Sequence, residues 1–148
     1  MLKGKNVVIT GAAGGIGYAA SKIFAEKGAF VIGIDVNEEA CRRVENELLA
    51  MGYPSMSISC DISSKEMVDK AFDLIEKKVD HIDALYNNAS VFLDGRDGPL
   101  GDVNPDIWNK IIGINLFGTY YCTYRCLPIL KIKGGSIINT ASSAGVTG

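Results

Sequence analysis

The chain has 148 residues, 47% of them hydrophobic and 22% charged, which suits a single folded domain and excludes a mainly disordered chain. Fifteen basic and seventeen acidic residues leave a formal charge of −2. No broad positive field is therefore available for nucleic acid or an anionic membrane, and a small molecule is the expected partner. Cys41, Cys60, Cys122 and Cys126 are too few for a disulfide scaffold and show no metal-ligand spacing, although Cys122 and Cys126 stand four apart. They read as buried, reduced thiols of a cytoplasmic protein with no metal.

Asn6-Val-Val-Ile-Thr10 reads as a first strand buried on both faces, too short for a signal segment, and it runs into the loop Gly11-Ala-Ala-Gly-Gly-Ile-Gly17. Ile16, Ala20, Ile23 and Phe24 recur at helical spacing up to Gly28, a C-cap glycine, and Phe30 to Ile34 make a second strand closed by Asp35. Asn37 is the N-cap of a second helix that runs through Val44, Leu48 and Met51 to Gly52. Ser55 to Cys60 alternate as a third strand, and Ser63-Ser-Lys-Glu66 spells a capping box before a third helix through Val68, Phe72 and Ile75.

Ile82 to Asn87 give a fourth strand, and Asp94 to Asn104 a linker-like loop. Asn104-Pro105 opens a long apolar helix through Trp108, Ile111 and Leu116, and Ser136 to Thr140 form a fifth strand. The stretch Ile111 to Tyr124 falls short of the roughly 20 apolar residues of a membrane span and reads as a buried helix. Five strands separated by helices imply an α/β fold with a doubly wound parallel sheet, Rossmann-like. Because Gly148 follows the fifth strand so closely, the expectation is one domain over 1–148, truncated after that strand and incomplete at its C-terminus.

A glycine loop between a strand and a helix start is an anion site: the backbone can approach a pyrophosphate, and the helix N-terminus presents free N–H groups. An acidic residue about twenty positions on takes the adenosine ribose hydroxyls in the dinucleotide pattern, and Asp35 stands there. Its carboxylate repels a 2′-phosphate, and neither Val36 nor the glycine loop supplies an arginine or lysine, so NAD is favoured over NADP.

Thr10-Gly-x-x-x-Gly15-x-Gly17 resembles the cofactor loop of the short-chain dehydrogenases/reductases. Cys60-Asp61-Ile62 is similar to that family's aspartate and aliphatic pair at the adenine ring, and Asn87-Asn88-Ala89 to its Asn-Asn-Ala-Gly motif, with Ser90 replacing the final glycine. Asn115 matches the catalytic asparagine, and Ser143 the catalytic serine, with Ser142 as the competing candidate.

The resemblance implies an NAD-dependent oxidoreductase moving a hydride between nicotinamide and a secondary alcohol or ketone. Gly11, Gly15, Ile16, Gly17, Asp35, Asp61, Ile62, Asn87, Asn88 and Ala89 would hold NAD. Ser143 would bond the substrate oxygen, and Asn115, a polar residue in an apolar helix, would hold a water in a proton relay.

The family's Tyr-x-x-x-Lys motif should follow Ser143 and is not reached. Tyr120, Tyr121 and Tyr124 have no lysine four residues later and are no substitute. The 148 residues alone are therefore expected to be inactive and prone to association, and the helix from Trp108 to Leu130 is expected to serve subunit contacts in a homo-oligomer. The alternative is a non-catalytic dinucleotide-binding or interaction module. Asp94, Asp97, Asp102 and Asp106 read as a polar loop and His81 as a surface turn residue.

Overall fold

The computed structural model describes residues 1–93, 99, 101–143 and 145. Strands β1 (Asn6–Thr10), β2 (Phe30–Asp35), β3 (Ser55–Ser59), β4 (Ala84–Asn87) and β5 (Ser136–Asn139) alternate with helices. These are α1 (Gly15–Glu26), α2 (Glu38–Ala50), α3 (Lys65–Lys78) and a continuous run of α4 (Pro105–Ile112), a π turn (Gly113–Gly118) and α5 (Thr119–Leu130). All neighbouring strands are parallel, in the order β3-β2-β1-β4-β5.

The chain winds outward from β1 to β3 and then returns to β4 on the other side, so the sheet has its switch point between β1 and β4, where open α/β sheets bind ligands. Thr10 lies opposite Ile34 and Asp35 opposite Ser59. The loops after Thr10, Asp35, Ser59, Asn87 and Asn139 consequently leave from one edge of the sheet.

Alternate residues of the strands feed two cores. Val8, Ile32, Ile34, Ile58 and Leu85 face Val68, Phe72 and Ile75 of α3 and Cys122, Cys126 and Ile129 of α5. On the other face Val7, Ile9 and Val31 meet Ala25 of α1 and Ala40, Cys41, Val44 and Leu48 of α2. All four thiols are buried and unpaired, and burial pushes Cys41 and Cys60 up to about 11 and Cys122 and Cys126 up to about 12.

The predicted caps form at Asn37, whose side chain accepts from Ala40 N–H, and at Asn104, which accepts from Asp106 N–H ahead of Pro105. Helix α3 is capped one residue later than the capping-box spelling indicates: Ser64, not Ser63, accepts from Met67 N–H, because Ser63 is bonded to Asp61 through both its N–H and its hydroxyl.

Strand β4 begins at Ala84 rather than Ile82. The reading of His81 as a surface residue is wrong: it is buried, with Nδ1 against Asp80 and Nε2 3.2 Å from Asp83 Oδ2. Asp83 also takes Lys5 Nζ and Asn6 N–H, both at 2.8 Å, and thus ties the N-terminal ends of β1 and β4 together.

The run Ile111 to Tyr124 is not the buried helix its composition suggests. No residue of α4 is buried, and Leu116, Tyr120 and Tyr124 are more than half exposed. The stripe Gly118, Cys122 and Cys126, at spacing four, turns inward and continues into Ile129 and Leu130, since small side chains let the helix approach the sheet. A Cβ on Gly118 would lie 2.6 Å from Ile62 Cδ1. Among the described residues no helix is long and apolar enough to cross a membrane.

Candidate functional site

The loop after β1 is locked to the loop after β4. Thr10, almost fully buried, accepts with Oγ1 from the N–H groups of both Asn88 and Ala89, each at 3.0 Å. The Asn88 amide returns the contact, donating to the carbonyls of Thr10 at 3.1 Å and Gly11 at 3.3 Å.

Two glycines are required by these close approaches. Gly11 has φ +65° and no room beside Ala89 Cα, 2.9 Å from where its Cβ would stand, and a Cβ on Gly17 would sit 1.9 Å from Gly11 O. Gly14 and Gly15 have the opposite environment, with nothing within 4 Å of either Cβ position. Their missing side chains leave open space instead of relieving a clash.

Helix α1 starts in that open space. Gly14 is its N-cap, no side chain caps it, and no acidic residue lies in its first turn. The first N–H groups of α1 are thus left for a ligand.

A cleft of about 680 Å³ runs along this edge, lined by Gly11, Gly14, Gly15 and Ile16 on one wall and by Asp35, Asp61, Ile62, Asn88, Ala89 and Val91 around it. Asp35 stands at the end of β2, its Oδ2 accepting from Ala13 N–H at 3.0 Å and its Oδ1 from Asn37 N–H at 3.1 Å. The carboxylate is held in place, and its oxygens keep further lone pairs for a donor in the cleft. Asp61 Oδ1 accepts from Ser63 N–H and Oγ–H, and Ile62 is buried beneath the π turn.

Five of the residues singled out in the sequence do not line the cleft. Gly17 is inside the loop packing. Asn87 points into the protein, donating to Thr123 Oγ1 at 3.0 Å and Asn139 Oδ1 at 2.9 Å, and its Oδ1 is buried without a partner among the described residues. Asn115 is exposed rather than the buried amide its apolar surroundings suggest. It lies in the π turn, a distortion frequent at functional sites, and both ends of its amide hold the backbone of Val91: Val91 N–H donates to Oδ1 at 2.8 Å and Nδ2 donates to Val91 O at 3.0 Å. Ser143 and Ser142 follow β5 at the same sheet edge and are exposed. Asp94 and Asp97 of the acidic loop lie outside the described residues.

Two features were missed in the sequence. Tyr18 and Lys22 do spell Tyr-x-x-x-Lys, but they sit on α1, where the Tyr18 hydroxyl donates to Glu47 of α2 and Lys22 pairs with the same carboxylate. The pair clamps two helices and is no part of the cleft lining. Arg43 of α2 places Nη2 3.5 Å from Ala13 O. Only its helical phase, one turn and a half into the helix that follows Asp35, could have pointed to it. Among the described residues no cluster of three or more His, Cys, Asp or Glu is arranged for a metal.

Residues 5–148 match the family model for short chain dehydrogenases. The chain belongs to the short-chain dehydrogenase/reductase family. It is 36% identical to a meso-2,3-butanediol dehydrogenase of Serratia marcescens over 97% of its own length and 55% of that protein's.

Among solved structures it is similar to an NAD+-bound xylitol dehydrogenase, with a TM-score of 0.91 and 32% identity over 99% of this chain and 56% of that one. It is also similar to a metagenomic short-chain oxidoreductase in complex with NADP, with a TM-score of 0.89 and 34% identity over 97% of this chain and 65% of that one. The chain spans about half the length of the curated relatives it matches.

Proposed function

We propose that the chain is the dinucleotide-binding part of an NAD-dependent oxidoreductase acting on a secondary alcohol or the corresponding ketone. The observation that carries this reading is the fixed carboxylate of Asp35 at the cleft, on the same loop system as the uncapped start of α1. Gly14 and Gly15 leave space for a pyrophosphate against the free N–H groups of Gly15, Ile16 and Gly17. Asp35 accepts from the adenosine ribose hydroxyls, a charge-assisted contact that a 2′-phosphate would turn into repulsion.

Asp61 and Ile62 form the adenine wall, while Gly11, Asn88 and Ala89 shape the floor toward the nicotinamide, with Asn87 bracing that loop from below. The nicotinamide ring, when bound, supplies the hydride acceptor or donor at its C4. Ser143 hydrogen-bonds the substrate oxygen and stabilises charge developing on it. Asn115 holds the Val91 backbone, and with it the loop that borders the reacting centre, besides any water it orients.

Two relatives are named for alcohols, butanediol and xylitol, and the solved neighbours carry NAD in one case and NADP in the other, which supports a nicotinamide dinucleotide and an alcohol or carbonyl substrate. The four protonated thiols suit the cytosol, and the exposed face of α4 and α5 suits contact with another subunit.

The test is hydride transfer, followed at the nicotinamide absorbance, by the natural polypeptide carrying this sequence with a panel of secondary alcohols. Ser143→Ala should lower kcat by about a hundredfold or more with NAD affinity nearly retained. Loss on Ser142→Ala with Ser143→Ala active would reassign the serine. The 148 residues by themselves, with Tyr18 and Lys22 committed to Glu47, should transfer no hydride.

A further inference from the structure

We infer that Lys110, together with the Ser90 hydroxyl, is an anion contact of the cleft that takes the phosphates of the bound dinucleotide from the side opposite helix α1. The inference rests on the cleft being a dinucleotide site and names the residues that offset its charge. Three of the side chains lining the cleft are charged: the carboxylates of Asp35 and Asp61 and the ammonium of Lys110. A pyrophosphate brings two more negative charges into these surroundings, and the N–H groups at the start of α1 together carry only about half a positive charge. Lys110 is the one cationic side chain among the lining residues.

Its placement follows from the fold. Helix α1 packs on one face of the sheet and the run from α4 to α5 on the other, so the start of α1 and Lys110 approach the cleft from opposite faces. Lys110 stands in the last turn of α4, four residues before Ile114, and both line the cleft. Ser90, which replaces the final glycine of the Asn-Asn-Ala-Gly motif, lines it from the loop after β4. That loop is fastened to the same helical run, because the Asn115 amide holds the N–H and the C=O of Val91 at 2.8 and 3.0 Å.

Both side chains are available. They are exposed, and among the described residues Lys110 enters no ion pair, whereas Lys5, Lys22, Lys65, Lys70 and Lys133 each face a carboxylate. The ammonium offers three donors and the hydroxyl one, and a charge-assisted bond to phosphate is stronger than a neutral one. Lys110 therefore supplies the larger part of the contact and Ser90 the smaller.

The experiment is calorimetric titration of NAD, NADP, ADP and adenosine into the natural polypeptide carrying this sequence, as wild type, Lys110→Met, Lys110→Arg and Ser90→Gly. Lys110→Met keeps the apolar stem and loses the charge, and should weaken NAD and ADP by about fivefold to tenfold while leaving adenosine within about twofold. Lys110→Arg should retain most of the affinity, and the Lys110→Met effect should shrink as salt is raised from about 0.05 to 0.5 M. Ser90→Gly should weaken NAD and ADP by about twofold to fivefold.

NAD and ADP binding to Lys110→Met as tightly as to wild type, or adenosine losing as much as ADP, would overturn the inference and leave the dinucleotide reading standing. Ser90→Gly without effect would overturn the part given to the hydroxyl. NADP bound as tightly as NAD by wild type, with both weakened by Lys110→Met, would contradict the NAD reading and leave Lys110 in its role. A wild type that binds neither NAD nor ADP would overturn both.

Discussion

The two sides of the sheet are built differently. Strands β1 and β2 are covered on both faces: Val7, Val8, Ile9, Val31, Ile32 and Ile34 are all at most 3% exposed, α2 and α3 contribute apolar stripes, and α1 packs through the small residues Gly17, Ser21 and Ala25. At β5 the pattern is reversed. Ser136, Ile138 and Asn139 are exposed, Ile137 alone is half-buried against α5, and α4 buries nothing. The glycine loop, Asp35 and Asp61 thus stand on the rigid side, whereas Ser143 follows the thinly covered strand and Asn115 lies in the helical run that α4 begins. The loops after β1 and β2 therefore stand on well-covered strands, whereas the loop after β5 follows a strand that is mostly exposed among the described residues.

Mutating the cores should expose that asymmetry most strongly. Phe72→Ala, at a fully buried position, should cost about 3–5 kcal/mol, and Ile138→Ala, at 45% exposure, under about 1 kcal/mol, by urea unfolding. Comparable losses would show that β5 is packed as tightly as the core beneath α3.

Within the glycine loop, Gly17→Ala drives a Cβ into Gly11 O and should cost at least about 3 kcal/mol together with NAD binding. Gly14→Ala, with open space around its Cβ and an extended φ of −149°, should leave the fold intact, and the pair is read by thermal unfolding.

Asp83, which joins β1 to β4, gives a smaller effect with a pH signature. Burial opposes its charge, but Lys5, the Asn6 N–H and His81 outweigh it and hold the carboxyl below its ordinary 3.8. Because the folded pKa is depressed, the stabilisation is present at neutral pH and is lost as pH falls through 3.8 and below. Asp83→Asn should therefore cost about 1–3 kcal/mol at pH 7, and the gap to wild type should close on acidification. A gap that persists unchanged to pH 3 would contradict this.

The smallest effect expected is at Asn115. Asn115→Ala frees Val91 N–H and C=O, which water can reach, and should cost about 1 kcal/mol or less of stability while accelerating amide exchange at Val91.

How far the sequence could be read follows the same division. The strand, glycine loop and helix from Asn6 to Gly28 were legible because each feature is local: an apolar run, a turn that only glycine allows, and a cap. Asn37 and Asn104 capped as spelled for the same reason. Burial that depends on distant partners was not legible. His81 is inside because Asn6 reaches it from β1, donating to its carbonyl, while Asp83 beside it faces its Nε2, and Asn115 is outside because its amide is satisfied by Val91 rather than by a core. Arg43 escaped because its relation to Ala13 exists only once α2 has packed beside the loop. Tyr18 and Lys22 show the converse, a motif spelling whose side chains the fold commits to Glu47.

The most direct test of the cofactor assignment is titration of NAD and NADP into the natural polypeptide carrying this sequence, wild type against Asp35→Ala. NAD should bind at least about tenfold more tightly than NADP to wild type, and the ratio should collapse in Asp35→Ala as the charge-assisted ribose contacts, about 1.5–3 kcal/mol, are lost. Equal affinities in wild type, or a ratio untouched by Asp35→Ala, would contradict the role given to that carboxylate.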